Sequence, residues 1–408
     1  MKNTLIDRPN YINQIKNFID KDFVKIVIGV RRCGKSDLLK LLQKEIKDKI
    51  DEQHIIEMNF EKSDFFHVRN YIDLTMYIEA KMIDEKKYYL FLDEPQEVEG
   101  WEKAINALRF KNTDIYITGS NSKLLSSEFA TLLGGRILTF RMYPLSFIEF
   151  VDFRKAIGFD TTNISFELDA YIKNGGFPSV SLHNYSDNDI RRIVTDIHST
   201  ALLKDVINRN GIRNTQLLEK IVAFIYDNLG NLVSLTSIVN YLKSQGRKGT
   251  DIETISGYLT YLEQGHLIAR AQRYDIKGKK LLETNDKYYL SDHSQQYAVR
   301  DFRGDKIQGV LENIVYCELV RRGYRVYVGK FDTREIDFVA EKLSGEKIYV
   351  QVTLELSSEE VIKREFTPLK EIKDSYSKYV VSMDRYAARN DEGVIGIHLK
   401  DFLISEKF

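Results

Sequence analysis

The eight residues Gly29-Val30-Arg31-Arg32-Cys33-Gly34-Lys35-Ser36 constrain the fold of this chain more than any other stretch. They fit the spacing GxxxxGK[ST], follow the apolar run KIVI, and open SDLLKLLQKEI, whose apolar residues recur at helical spacing. A strand, a glycine-bearing loop and a helix in that order turn backbone amides toward one point and aim a helix N-terminus at it, a geometry that holds phosphate oxygens. Lys35 is expected to neutralise the outer phosphates and Ser36 to ligate Mg²⁺. The loop residues Gly29, Val30, Arg31, Arg32, Cys33 and Gly34, with Asp37 in the first helical turn, form the rest of the cradle. Cys33 is expected to turn its side chain outward.

The surrounding sequence supplies a sheet for that loop. Five short β-rich runs recur in the first 140 residues, FVKIVI, HIIEMNF, YYLFL, DIYIT and RILTF, with helical patterns between them. Such alternation predicts an α/β fold with a parallel sheet between helices. The third run ends in Asp93-Glu94, so an apolar strand delivers two carboxylates at its carboxyl end, where open α/β sheets bind ligands. Asp93 is expected to hold the Mg²⁺ directly or through a water, and Glu94 to polarise an attacking water, because phosphoryl transfer needs positioning and charge neutralisation more than covalent help. The fourth run enters Gly119-Ser120-Asn121-Ser122. Asn121 or Ser120 is suited to a γ-phosphate or a water, and equally to capping the helix that follows.

Composition narrows the remaining classes. The 408 residues predict roughly two to four domains. Sixty Lys and Arg balance sixty Asp and Glu, so a nucleic-acid surface must be local. Two cysteines, Cys33 and Cys317, are too few for a disulfide framework or a thiolate cage. No apolar run reaches the length of a membrane span, and the start MKNTLIDRPNYINQ lacks the apolar core of a signal peptide, so a cytoplasmic location is expected. The seven histidines show no paired metal-ligand spacing.

Beyond Pro144 the pattern is helical as far as Leu232, interrupted by the turn Asn174-Gly175-Gly176-Phe177-Pro178. Residues 216–292 then read as three helices and a hairpin, the third helix opening on Thr250-Asp251-Ile252-Glu253 and the hairpin turning at Lys277-Gly278, a pattern that resembles a winged helix. From 304 the pattern is a helix, three strands, a helix and a strand.

GVRRCGKS, YYLFLDEPQ, ITGSNSKLLSSE, the Gly134-Gly135-Arg136 before RILTF, MYPLSFIEF, the NGGFP turn and YVQVTLEL…REFTPLKEIKDSYSKYVVS together resemble the bacterial AAA-type ATPases that carry a C-terminal domain of unknown function. The resemblance spans nearly the whole chain. It implies a P-loop NTPase parallel sheet (1–145), a helical lid (146–215), a winged-helix domain (216–303) and a C-terminal α/β domain of PD-(D/E)XK-like fold (304–408). It also implies ATP and Mg²⁺ as ligands, ATP hydrolysis as the activity and assembly into a homo-oligomer. In ring-forming ATPases an arginine at the place of Arg136 faces a neighbour's nucleotide, although an internal salt bridge is an equal expectation. By analogy Arg8 packs near adenine, with a surface arginine as the alternative.

Two expectations concern the later segments. The candidate recognition helix, Thr250 to Gln264, holds Asp251, Glu253 and Glu263 and no Lys or Arg, so base readout is disfavoured. Lys243, Arg247, Lys248, Arg270, Arg273, Lys277, Lys279 and Lys280 lie beside it, suited to DNA phosphates or to a protein-docking wing. In the last segment Glu312 and Asp337 fill two nuclease positions, but the third reads Gln351-Val352-Thr353. Glutamine brings no charge and threonine no ammonium, so a fold kept for recognition or assembly is expected over a nuclease. The rival readings of the whole are a nucleotide-gated scaffold with negligible turnover and an ATP-dependent DNA nuclease.

Overall fold

The computed structural model describes residues 5–125, 127–247, 249–299, 306–385 and 387–405. Backbone proximity divides the chain into two compact units, residues up to 144 with Gln264–His266, and residues 145–263 with 267–408.

In the first unit the five β-rich runs form β1 (Val24–Ile28), β2 (Ile55–Asn59), β3 (Tyr88–Asp93), β4 (Thr113–Gly119) and β5 (Ile137–Arg141). They pair in the order β2-β3-β4-β1-β5, all parallel. Helices cover both faces, so the inner strands β1 and β3 are buried at every residue and can be apolar throughout, while the edge strands β2 and β5 keep exposed positions. One face packs Ile26, Ile28, Leu90, Leu92, Ile115 and Ile117 against Trp101, Ile105 and Phe129 of the following helices. Near the amino ends of the strands Lys25 and Asp114 form a buried ion pair, and the Tyr116 hydroxyl donates to Asp114 at 2.9 Å. This order brings the carboxyl ends of β1, β3 and β4 side by side, with Ile28 opposite Gly119 and Asp93 opposite both Asn59 and Thr118.

The second unit begins with helices Phe147–Ala156, Ile164–Asn174 and Asp187–Ala201, the region expected to be a helical lid. Ser146 and Glu149 close a capping box at its start. Helices Thr215–Asp227, Leu235–Ser244 and Ile252–Gln264 follow, then a hairpin. Its strands join β6 (Leu232–Val233), β7 (Ile268–Asp275), β8 (Lys280–Leu290), β9 (Arg325–Phe331), β10 (Arg334–Glu341), β11 (Lys347–Thr353), β12 (Ser377–Ser382), β13 (Arg389–Asp391) and β14 (Val394–His398) in one nine-stranded sheet of order β13-β14-β12-β11-β10-β9-β7-β8-β6. The hairpin is therefore sewn to the C-terminal strands: β7 pairs parallel with β9, with Arg273 opposite Val328. Helix Glu359–Glu371 covers this sheet through Phe366 and Leu369. Among the described residues no helix is long and apolar enough to cross a membrane.

Candidate functional site

β1 ends at Ile28 and the chain turns at once through Gly29–Gly34 into helix Lys35–Lys47. Gly29 is required by contact: a Cβ there would lie 2.1 Å from the Met142 carbonyl oxygen. Arg32 and Gly34 take left-handed conformations, φ 63° and 104°, and the Arg32 value is a strained one for a residue with a Cβ. Alternating hand along a short loop points successive amides the same way, and the first helical amides add donors that no capping side chain takes at Gly34.

The Lys35 side chain is only 6% exposed and folds over this loop, donating to the carbonyls of Gly29 at 3.0 Å and Val30 at 3.3 Å. Its Nζ is 3.8 Å from Glu94 Oε1. Ser36 is exposed at the helix start. Arg31 pairs with Glu61 at 2.7 Å, and Asp37 pairs with Lys40 at 2.9 Å on the outer surface of the helix.

Asp93 and Glu94 meet the loop from the end of β3. Asp93 Oδ2 accepts from Asn59 Nδ2 at 2.7 Å, and its Oδ1 accepts from the Thr118 hydroxyl. Neighbouring strands thus orient one carboxylate from both sides. Glu94 adopts φ 56°, ψ 47°, a left-handed conformation costing about 1–3 kcal/mol for such a residue. That turn sends its carboxylate to Ser120, whose amide and hydroxyl donate to Oε2 at 3.2 and 3.1 Å, and to Gln96 Nε2. The structure therefore brings together Lys35, Glu94 and Ser120, with Asp93 and Ser36 the chain neighbours of Glu94 and Lys35. Asn121 is fully buried directly after Ser120. A hydroxyl and a carboxylate at the mouth of an amide-lined loop are oxygen donors suited to a hard divalent cation. Ser36 and Asp93 thus fit Mg²⁺.

Cys33 and Arg8 sit differently from expectation, and Arg136 forms the internal salt bridge that is one of its two expectations. Cys33 does not point outward: its side chain is fully buried, with Sγ 3.7 Å from the Met142 carbonyl just past β5. Burial pushes its thiol pKa up, so it stays protonated and inert. The Arg8 guanidinium is buried, stacks on Tyr11, and donates to the carbonyls of Cys33 at 3.0 Å and Tyr143 at 3.1 Å, so it braces the loop's backbone. Arg136 precedes β5 at the amino ends of the strands, the end of the sheet opposite Asp93, and its Nε lies 2.9 Å from Asp22.

Sequence reasoning missed Asn59, Thr118, Gln96 and His266. Register signals the first two, since both stand opposite Asp93 on adjacent strands. His266 belongs to the first unit, is buried, and has φ 55°. Burial, then the cations Arg141 and Lys35, push its imidazole well below the usual histidine range, so it is neutral.

In the second unit Glu312, Asp337 and Gln351 do come together, joined by Lys287 of β8. Three basic residues of the hairpin region are engaged: Arg270 with Asp286 at 2.6 Å, Lys277 with Asp332 at 2.5 Å, and Arg247 with Asn214 and Gln216. Lys248 lies outside the described residues.

Residues 21–151 match the family described as "AAA domain", and residues 165–306 match a domain of unknown function, DUF8612. An uncharacterized protein of Haemophilus influenzae is 40% identical over 99% of this chain and 100% of its own length. Another, of Methanocaldococcus jannaschii, is 30% identical over 93% of this chain and 85% of its own. Among solved structures, the chain is similar in fold to a Walker-type ATPase of Pyrococcus abyssi, with a TM-score of 0.53 and 15% identity over 72% of this chain and 95% of that one.

Proposed function

The chain belongs to the AAA-type P-loop ATPases, in one family with the Haemophilus and Methanocaldococcus proteins, and on that premise we propose that it binds ATP with Mg²⁺ at the carboxyl end of its first sheet and hydrolyses the terminal phosphate. The observation that carries this reading is the approach of Lys35 Nζ to within 3.8 Å of Glu94, with Asp93 held between Asn59 and Thr118 beside them. A cation for phosphate, a carboxylate for metal and a carboxylate for water then share one mouth.

In this reading the amides of residues 30–36 wrap the β-phosphate, and Lys35 exchanges the carbonyls of Gly29 and Val30 for β- and γ-phosphate oxygens. Ser36 and Asp93 would hold Mg²⁺, which when bound would supply charge neutralisation to the phosphates. Glu94 orients the attacking water and takes its proton, with Ser120 and Gln96 setting the carboxylate's direction. Asn121 faces the γ-phosphate, and Arg136 serves a neighbouring subunit. Changes in nucleotide state pass to a DNA or protein partner of the second unit, and any DNA contact there is with phosphates, since helix Ile252–Gln264 carries acids only.

Glu94→Gln tests the assignment. ATP affinity stays near the wild-type value, and steady-state phosphate release falls about 100- to 10,000-fold. Unchanged turnover in that variant removes Glu94 from the role. A nucleotide-gated scaffold is the second reading, favoured by one feature: Glu94 and Lys35 both already have protein partners, a resting arrangement that nucleotide must break. Phosphate release by the wild-type chain, with and without duplex DNA, separates the two, and none above the Glu94→Gln background supports the scaffold.

A further inference from the structure

The densest charged cluster outside the nucleotide site surrounds Lys287. This residue of β8 is buried to 1% exposure, and its Nζ lies 3.0 Å from Glu312 Oε2, 2.8 Å from Glu335 Oε1 and 3.1 Å from Asp337 Oδ1. The acids come from helix Ile307–Arg321 and from β10, so two elements converge on an ammonium carried by a third. Glu312 and Asp337 take further partners from the chain itself. Glu312 Oε2 also accepts from the Tyr289 hydroxyl at 3.2 Å, and Oε1 from Gln308 Nε2 at 3.4 Å. Asp337 Oδ2 accepts from the Val352 amide at 2.9 Å. Gln351 turns its carbonyl oxygen to the Asp337 amide at 3.2 Å. Burial and the neighbouring Asp337 push the Glu312 carboxyl upward, as expected where one cation serves three acids.

A PD-(D/E)XK-like domain would call for a divalent ion among these residues, and the arrangement does not fit one. A hard cation needs several carboxylate or carbonyl oxygens aimed at a common open point about 2.0–2.6 Å away. Here the common point is the lysine nitrogen, at hydrogen-bond distances. Among the described residues no group of three or more His, Cys, Asp or Glu is disposed to hold a metal.

We propose that Lys287 is the resident cation of this cluster, filling by covalent attachment the place of a divalent ion, so that the cluster is an internal tie between the hairpin and the C-terminal strands and only a latent metal site. Removing the ammonium leaves two buried acids, Glu312 and Asp337, and the half-buried Glu335 without their cation, and divalent ions then bind there. The inference does not depend on ATP hydrolysis in the first unit.

Manganese binding by the nucleotide-free full chain, followed by electron paramagnetic resonance, tests it. Asp93→Ala is placed in every sample to silence the nucleotide site. The chain with Lys287 intact is expected to bind no manganese saturably. Lys287→Ala is expected to gain one site per chain, at least roughly tenfold tighter than any residual binding, a conservative figure for a unit charge removed from about 3 Å. That site is lost again when Asp337→Asn is added. A folded Lys287→Ala chain without the new site overturns the proposal. Should that variant not fold, the Lys287-intact chain decides: a stoichiometric manganese site there that disappears with Asp337→Asn overturns the proposal, and its absence sustains it.

Discussion

Asp93 owes its direction to two neighbours rather than to its own strand. Asn59 and Thr118 each hold one carboxylate oxygen, and both come from adjacent strands in register with it. Ligands oriented in this way lose metal affinity when the orienting group is removed, typically about 10–100-fold. Asn59→Ala is therefore expected to raise the Mg²⁺ concentration needed for half-maximal phosphate release by about that factor, with ATP affinity in excess Mg²⁺ little changed. An unaltered Mg²⁺ requirement would show that Asn59 does not position the carboxylate. At this scale the sequence was informative only where function is local. Gly29 to Ser36 and the Asp93-Glu94 pair announce themselves by spacing. Asn59, Thr118 and Lys287 do not, because each acts on a residue more than twenty positions away, and nothing in an isolated Asn, Thr or Lys marks that partner. Cys33 was misjudged for the same reason: its burial is decided by Met142, which only the folded sheet brings near.

Elements were easier to read than contacts. All five strands of the first sheet, the long helices of the second unit and the strands of the hairpin follow from runs of β-branched and aromatic residues or from helical spacing, since burial on both faces leaves an unbroken apolar stretch. The three-residue β13 and the six-residue last helix, Leu399–Ile404, carry too few residues to establish a period, and neither they nor β14 were foreseen. Helix packing leaves a measurable electrostatic mark. His198 of helix Asp187–Ala201 is buried against Tyr226 of helix Thr215–Asp227, whose hydroxyl lies 3.3 Å from Nδ1. Burial lowers its pKa from 6.5 to about 4. A depressed folded-state value means the stabilisation is complete above pH 6.5 and is lost as pH falls toward 4, worth up to about 3 kcal/mol. Urea unfolding of the second unit at stepped pH is expected to show this decline, and His198→Gln to flatten it. An equally steep profile in the variant would assign the acid sensitivity to other groups.

For the molecule as a whole, the nucleotide site and Arg136 lie at opposite ends of one parallel sheet. An arginine so placed cannot complete its own chain's site, and reaches one only if a second copy docks. Mixing Arg136→Ala with Lys35→Ala chains, each inactive alone, is expected to restore part of the phosphate release, because some interfaces then join an intact loop to an intact arginine. No recovery despite demonstrated co-assembly would leave Arg136 as the partner of Asp22 and nothing more. The sheet of the second unit shows what pattern reading cannot reach at this scale. The parallel pairing of β7 with β9 joins segments about fifty residues apart and leaves no local trace in either.

That continuity sets the mechanical character of this half of the protein. A free wing swivels on its turn and adapts to what it meets, whereas a hairpin laced into a broad ribbon, and pinned through Lys287, moves only as a slab. A partner of the proposed kind would have to arrive already shaped to it.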